Sequence, residues 1–188
     1  MLQLKKPIAF IDLETTGINL GTDRIVEIAI VKILTDGTRS VKRKLVNPEM
    51  PIPKGASDVH GITDEMVKDA PAFKQVAHEL KQMLDGCDLA GYNSNRFDIP
   101  LLMEEFLRSQ VDFDMRNRKL LDVQNIFHKM EPRTLGAAYK FYCGKNLEGA
   151  HGAEVDASAT LEILEAQLER YPELGSSVDS VLKLIGED

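Results

Sequence analysis

Residues 8–17, Ile8-Ala9-Phe10-Ile11-Asp12-Leu13-Glu14-Thr15-Thr16-Gly17 (IAFIDLETTG), decide how this chain is read. The apolar run Ile8, Ala9, Phe10, Ile11 and Leu13 predicts a short strand covered on both faces. Asp12 and Glu14 interrupt it. Side chains two apart on a strand share a face, so two carboxylates stand side by side at the end of an apolar strand. Like charges that close repel, and burial adds a desolvation cost. A proton, a basic side chain or a divalent cation has to offset this.

Working outward, Arg24–Leu34 (RIVEIAIVKIL) is rich in β-branched residues and predicts a second strand. Asp36-Gly37 is a hairpin signal. Ser40–Val46 is then an antiparallel third strand near an edge. Asn47–Ser57, with three prolines, predicts a long loop. Helices follow over Asp64–Asp69, with Thr63 as its cap, and over Ala72–Asp85. The second carries Phe73, Val76, Ala77, Leu80 and Leu84 at helical spacing. Cys87–Gly91 and Lys119–Asp122 predict short strands. Phe97–Ser109, Val123–Met130, a Thr134-capped helix ending near Gly144, Ala153–Arg170 and a short piece after Ser176-Ser177 predict helices. Alternating strands and helices indicate an α/β fold with a mixed sheet. With 188 residues, no repeat and no linker, one domain over 1–188 is expected, with 171–188 as a terminal helix packing on it.

The formal net charge of −7 argues against a broad duplex-binding face. Two distant cysteines, Cys87 and Cys143, form no metal or redox motif, so a reduced, cytoplasmic compartment is expected. No stretch approaches membrane-spanning length, and no membrane partner is expected. The basic clusters Arg39–Lys44 and Arg116–Lys119 are either strand-tracking sites for phosphates or ordinary solvated edges.

Two further acids fall on helix faces that the apolar pattern turns inward. Asp98 opens the helix of Leu101, Leu102 and Phe106. Asp156 shares a face with Ala153, Ala157, Thr160, Leu161, Leu164 and Leu168. His151 lies in the loop before that helix. Each has a bland alternative. Asp98 serves as a helix-terminal acid, Asp156 as a half-exposed helix acid, His151 as a loop histidine, and Asp12 and Glu14 pair with Arg24 or Lys32. One shared cause, a site for hard cations, accounts for all four acids together. Oxygen ligands suit Mg²⁺ or Mn²⁺ rather than zinc. Two such ions about 3.5–4 Å apart clamp an in-line displacement at phosphorus, and a histidine suits proton removal from the attacking water.

FIDLETTG, YNSNRFDIPLL and HGAEVDA resemble the three exonuclease motifs of the DEDD superfamily, whose fold is ribonuclease H-like. The spacing His151-x4-Asp156 resembles the histidine-bearing (DEDDh) branch, which includes the proofreading (epsilon) subunit of bacterial DNA polymerase III. VHGIT, Val59–Thr63, resembles a segment of the proofreading type. The resemblance implies a five-stranded mixed sheet flanked by helices. It implies a 3′–5′ exonuclease that releases nucleoside 5′-monophosphates from single-stranded or frayed 3′ ends. Asp12, Glu14, Asp98 and Asp156 would hold two Mg²⁺ or Mn²⁺ ions, with His151 as general base. Backbone groups at Glu14, Thr15 and Thr16 would grip the 3′ hydroxyl. Asn93 belongs to the second motif, and His60 and Phe97 would contact or stack the last bases. Tyr92 departs from the histidine that many relatives carry there, which touches substrate contacts rather than catalysis.

VHGIT leans the substrate towards DNA, and a DNA polymerase stays open as partner. The rivals are a 3′-end processor of RNA and a binding module that has lost catalysis, against which the intact acids argue. A nucleotide-binding α/β protein fails, because no Gly-rich phosphate loop is present.

Overall fold

The computed structural model describes residues 2–187. β1 (Ile8–Thr15), β2 (Ile25–Ile33), β3 (Arg39–Leu45), β4 (Asp88–Gly91) and β5 (Leu120–Asp122) form one mixed sheet in the order β3-β2-β1-β4-β5. β1 is central. It pairs antiparallel with β2 and parallel with β4, and β5 runs parallel to β4. The β2–β3 hairpin closes at Asp36-Gly37, where Asp36 Oδ1 accepts from the Thr38 amide and Gly37 takes a positive φ of 88°.

One face of β1 is fully covered and the other is not. Ala9, Ile11 and Leu13 are buried; on the other face Ile8 is buried, but Phe10 and Glu14 are half-buried and Asp12 is exposed, so that face opens towards the end of the strand. The expectation of a strand covered on both faces is therefore corrected. The acids stand on the open side of the sheet, where carboxylates keep some water. The covered face packs on α3 (Phe73–Leu84) and α4 (Asp98–Arg108). The α3 stripe Phe73, Val76, Ala77, Leu80 and Leu84 is buried as its spacing predicts. Leu101, Leu102 and Phe106 of α4 meet it in the same cluster, and Phe106 stacks on Phe113 at 4.5 Å. Each fully buried side chain of that size stabilises by about 1.5–3 kcal/mol.

Glu105 on α4 is 2% exposed and accepts from Arg108 at 2.6 Å, with Arg24 at 3.9 Å. Arg108 also reaches the carbonyls of Gly21 and Asp23, so it ties the β1–β2 loop to α4.

The segment expected to be a long loop before Ser57 contains α1 (Lys54–His60). Pro53 stands at its N-cap, and Gly61 ends it at a left-handed φ of 75° with its amide on Ser57 O. Proline just before and glycine just after a helix are start and stop signals, which the three-proline count obscured. α2 (Asp64–Val67) follows, and Thr63 holds the cap position without a side-chain bond. α1 and α2 close a small second cluster of Val26, Ile52, Ile62 and Val67.

The chain divides into two compact units, 2–126 and 127–187, each described by itself. α5 (Val123–Met130) spans the division. The second unit contains α6 (Leu135–Cys143), α7 (Ala153–Arg170), a 3₁₀ turn at Pro172–Leu174 and α8 (Val178–Ile185). Thr134 caps α6 by accepting from the Ala137 amide, as expected. α7 buries Ala159 and Ile163 against Tyr139, and not the predicted face of Ala153, Ala157, Thr160, Leu161, Leu164 and Leu168. Leu161 stays 57% exposed, and Leu164 and Leu168 instead line a groove shared with Val178, Val181 and Leu182 of the terminal helix. Among the described residues, no helix is long and apolar enough to cross a membrane.

Candidate active site

Asp12 and Glu14 project from the open face of β1, as period-two geometry requires. The β1–β2 register sets Glu14 opposite Glu27 and Asp12 opposite Ala29, so a third carboxylate, missed in the sequence, stands on the same face. Only the register between two strands reveals Glu27. Arg43 covers it, donating through Nε at 2.6 Å.

Asp98 begins α4 and is 5% exposed. It is not a cap: Phe97 holds the N-cap position, and the Asp98 carboxylate turns to β1, where Oδ1 accepts from the Leu13 amide at 3.1 Å. This bond joins the second motif to the first. Burial drives the Asp98 carboxyl up to about 6, and the charges of Asp12 and Glu14 add to it. Asp12 is raised by partial desolvation and then by Glu27. Glu14 is raised by desolvation and by Asp12, with a smaller opposing pull from His60. Three acids at one end of β1 therefore hold protons more tightly than free carboxyls do.

Among the described residues, no Arg or Lys forms an ion pair with them. Arg24 pairs with Glu105, and Lys32 donates to Met83 O at 2.9 Å. Among the described residues, none of Asp12, Glu14, Asp98 and Asp156 enters an ion pair. Both candidate cationic partners named from the sequence are thus occupied elsewhere. Among the described residues, no three acidic, His or Cys side chains close into a metal cage. The chemistry of the donor set nonetheless fits a hard cation: oxygen donors only, mutually repelling, without a positive partner.

In the second unit, Asp156 lies in the first turn of α7, and its Oδ1 is buried with no hydrogen-bond partner. A buried carboxylate oxygen left without a partner is costly and marks a group awaiting one. His151 is exposed in the preceding loop and holds a left-handed φ of 76°, which is uncommon outside glycine.

The remaining expected contacts are modified by what the side chains already do. Thr15 Oγ1 donates to Gly17 O, and Thr16 Oγ1 donates to Asp23 Oδ1 and accepts from the Arg24 amide. The Thr16 amide is held by Arg24 O, so that backbone group is not free to grip a hydroxyl. Gly17 is needed there, since a Cβ would come within 2.5 Å of Asp23 Oδ2. His60 Nδ1 accepts from the Ile62 amide, which leaves Nε2 to donate to Thr15 O at 2.9 Å. Both ring nitrogens are engaged, and only the ring face remains for a base. Leu13, Thr15, Ile18, Val59, His60 and Phe97 line a cleft of about 330 Å³ beside Glu14. Ile18 and Val59 are more than four-fifths exposed. Val59 was missed in the sequence as a cleft residue because α1, which carries it, was missed, whereas Ile18 lies in the β1–β2 loop, where nothing local marks it. Asn93 takes a left-handed φ of 57° in the loop ahead of α4.

The basic clusters are largely spent on neighbours. Lys42 and Lys44 pair with Glu79, Arg43 with Glu27 and Arg116 with Asp114. Arg118 donates to the carbonyls of Leu84 and Cys87. Lys42, Arg43, Lys44, Arg116 and Arg118 therefore already have partners within the protein.

The exonuclease family of the ribonuclease T type matches residues 9–164. The chain belongs to the exonuclease family. The chain is 30% identical over 176 residues to the PolC-type DNA polymerase III of Caldanaerobacter subterraneus, covering 91% of this chain and 12% of that one. It is 25% identical over 173 residues to the 3′-5′ exonuclease DinG of Staphylococcus saprophyticus, covering 88% of this chain and 18% of that one. The chain thus spans less than a fifth of the length of these relatives. In fold it is similar to a product-bound exonuclease I, with a TM-score of 0.62 at 18% identity over 90% of this chain and 45% of the other. It is similar also to E. coli exonuclease I in complex with a dT13 oligonucleotide, with a TM-score of 0.59 at 19% identity, covering 90% and 42%. The α/β fold with its mixed five-stranded sheet is therefore of the ribonuclease H-like, exonuclease I type.

The acids carry a pH signature. A carboxyl whose folded pKa lies above its unfolded value stabilises the fold most at low pH, and that stability is lost as pH rises through the folded pKa. For Asp98 the window runs from 3.8 to about 6 and is worth about 3 kcal/mol at 1.36 kcal/mol per unit. In EDTA, wild type should lose stability relative to Asp98→Asn as pH rises from 3.8 to about 6, and the gap should then level off. Urea melts across that range check this. A pH-independent gap would show that Asp98 is not held protonated by burial.

Proposed function

We propose that this chain is a metal-dependent 3′–5′ exonuclease of the DEDDh branch that acts as one domain over 1–188. Its substrate is the 3′ end of single-stranded DNA, and its product is a nucleoside 5′-monophosphate. The observation that carries the reading is the trio Asp12, Glu14 and Asp98: three carboxyls at the end of β1, raised in proton affinity and without a basic partner. The DinG relative supports the 3′–5′ direction by its name, and the oligonucleotide in the exonuclease I complex supports single-stranded DNA. The PolC-type relative supports a DNA polymerase as partner class.

Asp12, Glu14, Asp98 and Asp156 would hold two Mg²⁺ or Mn²⁺ ions. Bound there, the ions would stabilise negative charge on the phosphate and on the leaving 3′ oxygen. His151 takes the proton of the attacking water. The ring faces of His60 and Phe97 and the exposed Ile18 and Val59 hold the terminal bases in the cleft beside Glu14, which keeps the last phosphodiester near the acids. Thr15 and Thr16 act by fixing the turn that ends β1. Asn93 shapes the loop that leads to Asp98.

The test uses a 5′-labelled single-stranded DNA oligonucleotide and its RNA counterpart, each with Mg²⁺ or Mn²⁺ and an EDTA control. A ladder shrinking from the 3′ end, faster on DNA and lost in EDTA, is the expected result. A faster RNA ladder would reassign the substrate. No ladder on either strand from folded protein would overturn the enzyme reading.

A further inference from the structure

Asp122, the last residue of β5, is 4% exposed and has no positive partner among the described residues. A lone carboxylate buried that deeply needs strong compensation. It receives three backbone amides. Oδ1 accepts from Asn93 at 2.9 Å and from Gln124 at 3.0 Å, and Oδ2 accepts from Asn95 at 3.1 Å. Two of these donors lie some thirty residues upstream, in the loop between β4 and α4. The Gln124 bond is a local turn that fixes the carboxylate's own direction.

That loop is under constraint from every side. Asn93 sits at a left-handed φ of 57°. Gly91, paired with Asp122 across the β4–β5 ladder, leaves no room for a side chain: a Cβ would meet Ser94 Cβ at 2.6 Å and Ile11 O at 3.0 Å. The loop carbonyls then start α4, with the Phe97 amide on Asn93 O and the Ile99 amide on Ser94 O. Asp98 follows directly and bonds the Leu13 amide. A continuous set of bonds therefore runs from the end of β5, through the loop, to the carboxylate of Asp98.

We propose that Asp122 is a positioning residue for Asp98: its carboxylate clamps residues 93–95 and so fixes where the first turn of α4 presents the Asp98 side chain to a divalent cation. The inference rests on the reading of Asp98 as a metal ligand. A charge-assisted clamp on two amides holds a short loop more tightly than a neutral acceptor does. Groups that orient a ligand typically change metal affinity or activity by about 10–100-fold when removed.

The test compares wild type, Asp122→Asn and Arg108→Ala. Asn keeps the shape of Asp but offers one oxygen and no charge, so the Asn95 amide loses its partner. Arg108→Ala opens the buried Glu105 pair of the same unit, away from the loop, and supplies a fold destabilised for another reason. Three readouts are taken: thermal midpoint, amide hydrogen exchange at residues 93–95, and Mn²⁺ affinity by calorimetry, with 3′ trimming measured alongside. Asp122→Asn should speed exchange at Asn93 and Asn95 and weaken Mn²⁺ binding by about 10–100-fold. Trimming should fall in step and recover partly at high Mn²⁺. Arg108→Ala should lower the midpoint yet bind Mn²⁺ as wild type does.

Wild-type Mn²⁺ affinity in Asp122→Asn would overturn the proposal, as would an equal loss in both variants, which would make Asp122 a stabiliser only. Gly91→Ala, which pushes the same loop from β4 with Asp122 intact, should reproduce the loss of Mn²⁺ affinity. If it does not, the loop does not govern Asp98 and the proposal fails. Absence of trimming in wild type would sink the exonuclease reading alone, while exchange and Mn²⁺ binding still decide the role of Asp122.

Discussion

Replacing Asp12 with Ala should reduce metal-dependent 3′ trimming by at least about 10²–10³-fold, the scale lost when one preorganised charge at a reacting centre is removed. The fold should survive. Asp12 is exposed on the open face of β1, and its side chain accepts no hydrogen bond from the protein among the described residues. Truncation there removes no core contact. It also removes a negative charge whose repulsion, added to the larger effect of burial, raises the proton affinity of Glu14 and Asp98. The metal-free variant should therefore melt no lower than wild type in EDTA, and Asp12→Asn should melt slightly higher. Activity that falls while stability holds or rises is the mark of a functional rather than a structural acid. The measurement pairs initial trimming rates at saturating Mn²⁺ with thermal melts in EDTA. Full metal-dependent activity in Asp12→Ala would remove the acid cluster from the mechanism.

The parts of the fold legible in the sequence are those governed by local period. Asp12 and Glu14 share a face because a strand repeats every two residues, and the α3 stripe is buried because five apolar residues recur at helical spacing. The Asp36-Gly37 turn states its own geometry. The parts that were not legible depend on partner choice between distant segments. Nothing local reveals that Glu27 lies opposite Glu14, that Arg24 and Lys32 are engaged elsewhere, or that Asp122 takes the amides of Asn93 and Asn95. α7 shows why period sometimes fails. Leu161, Ile163, Leu164 and Leu168 spread around the helix, so the pattern selects no single stripe, and the structure buries Ile163 with Ala159. α1 was hidden because prolines that start a helix and prolines that break one look alike until the chain on either side is placed.

His151→Gly should slow trimming by about 10²–10⁴-fold, the range for loss of a positioned general base. Glycine is the informative replacement. His151 holds a φ of 76°, a conformation that glycine adopts without the steric cost a Cβ carries. The substitution therefore removes the imidazole without straining the loop, and in Ala that strain would persist. The side chain is exposed, so no packing is lost. The thermal midpoint and Mn²⁺ affinity should stay near those of wild type, because the acids that would hold the ions are untouched. The rate loss should fall on kcat rather than KM, since the base acts on the water and not on the strand. Added imidazole should restore part of the rate. A variant that trims within a few-fold of wild type would leave the buried, unpartnered Asp156 Oδ1 as the functional mark of this segment and would take the proton-transfer role away from His151.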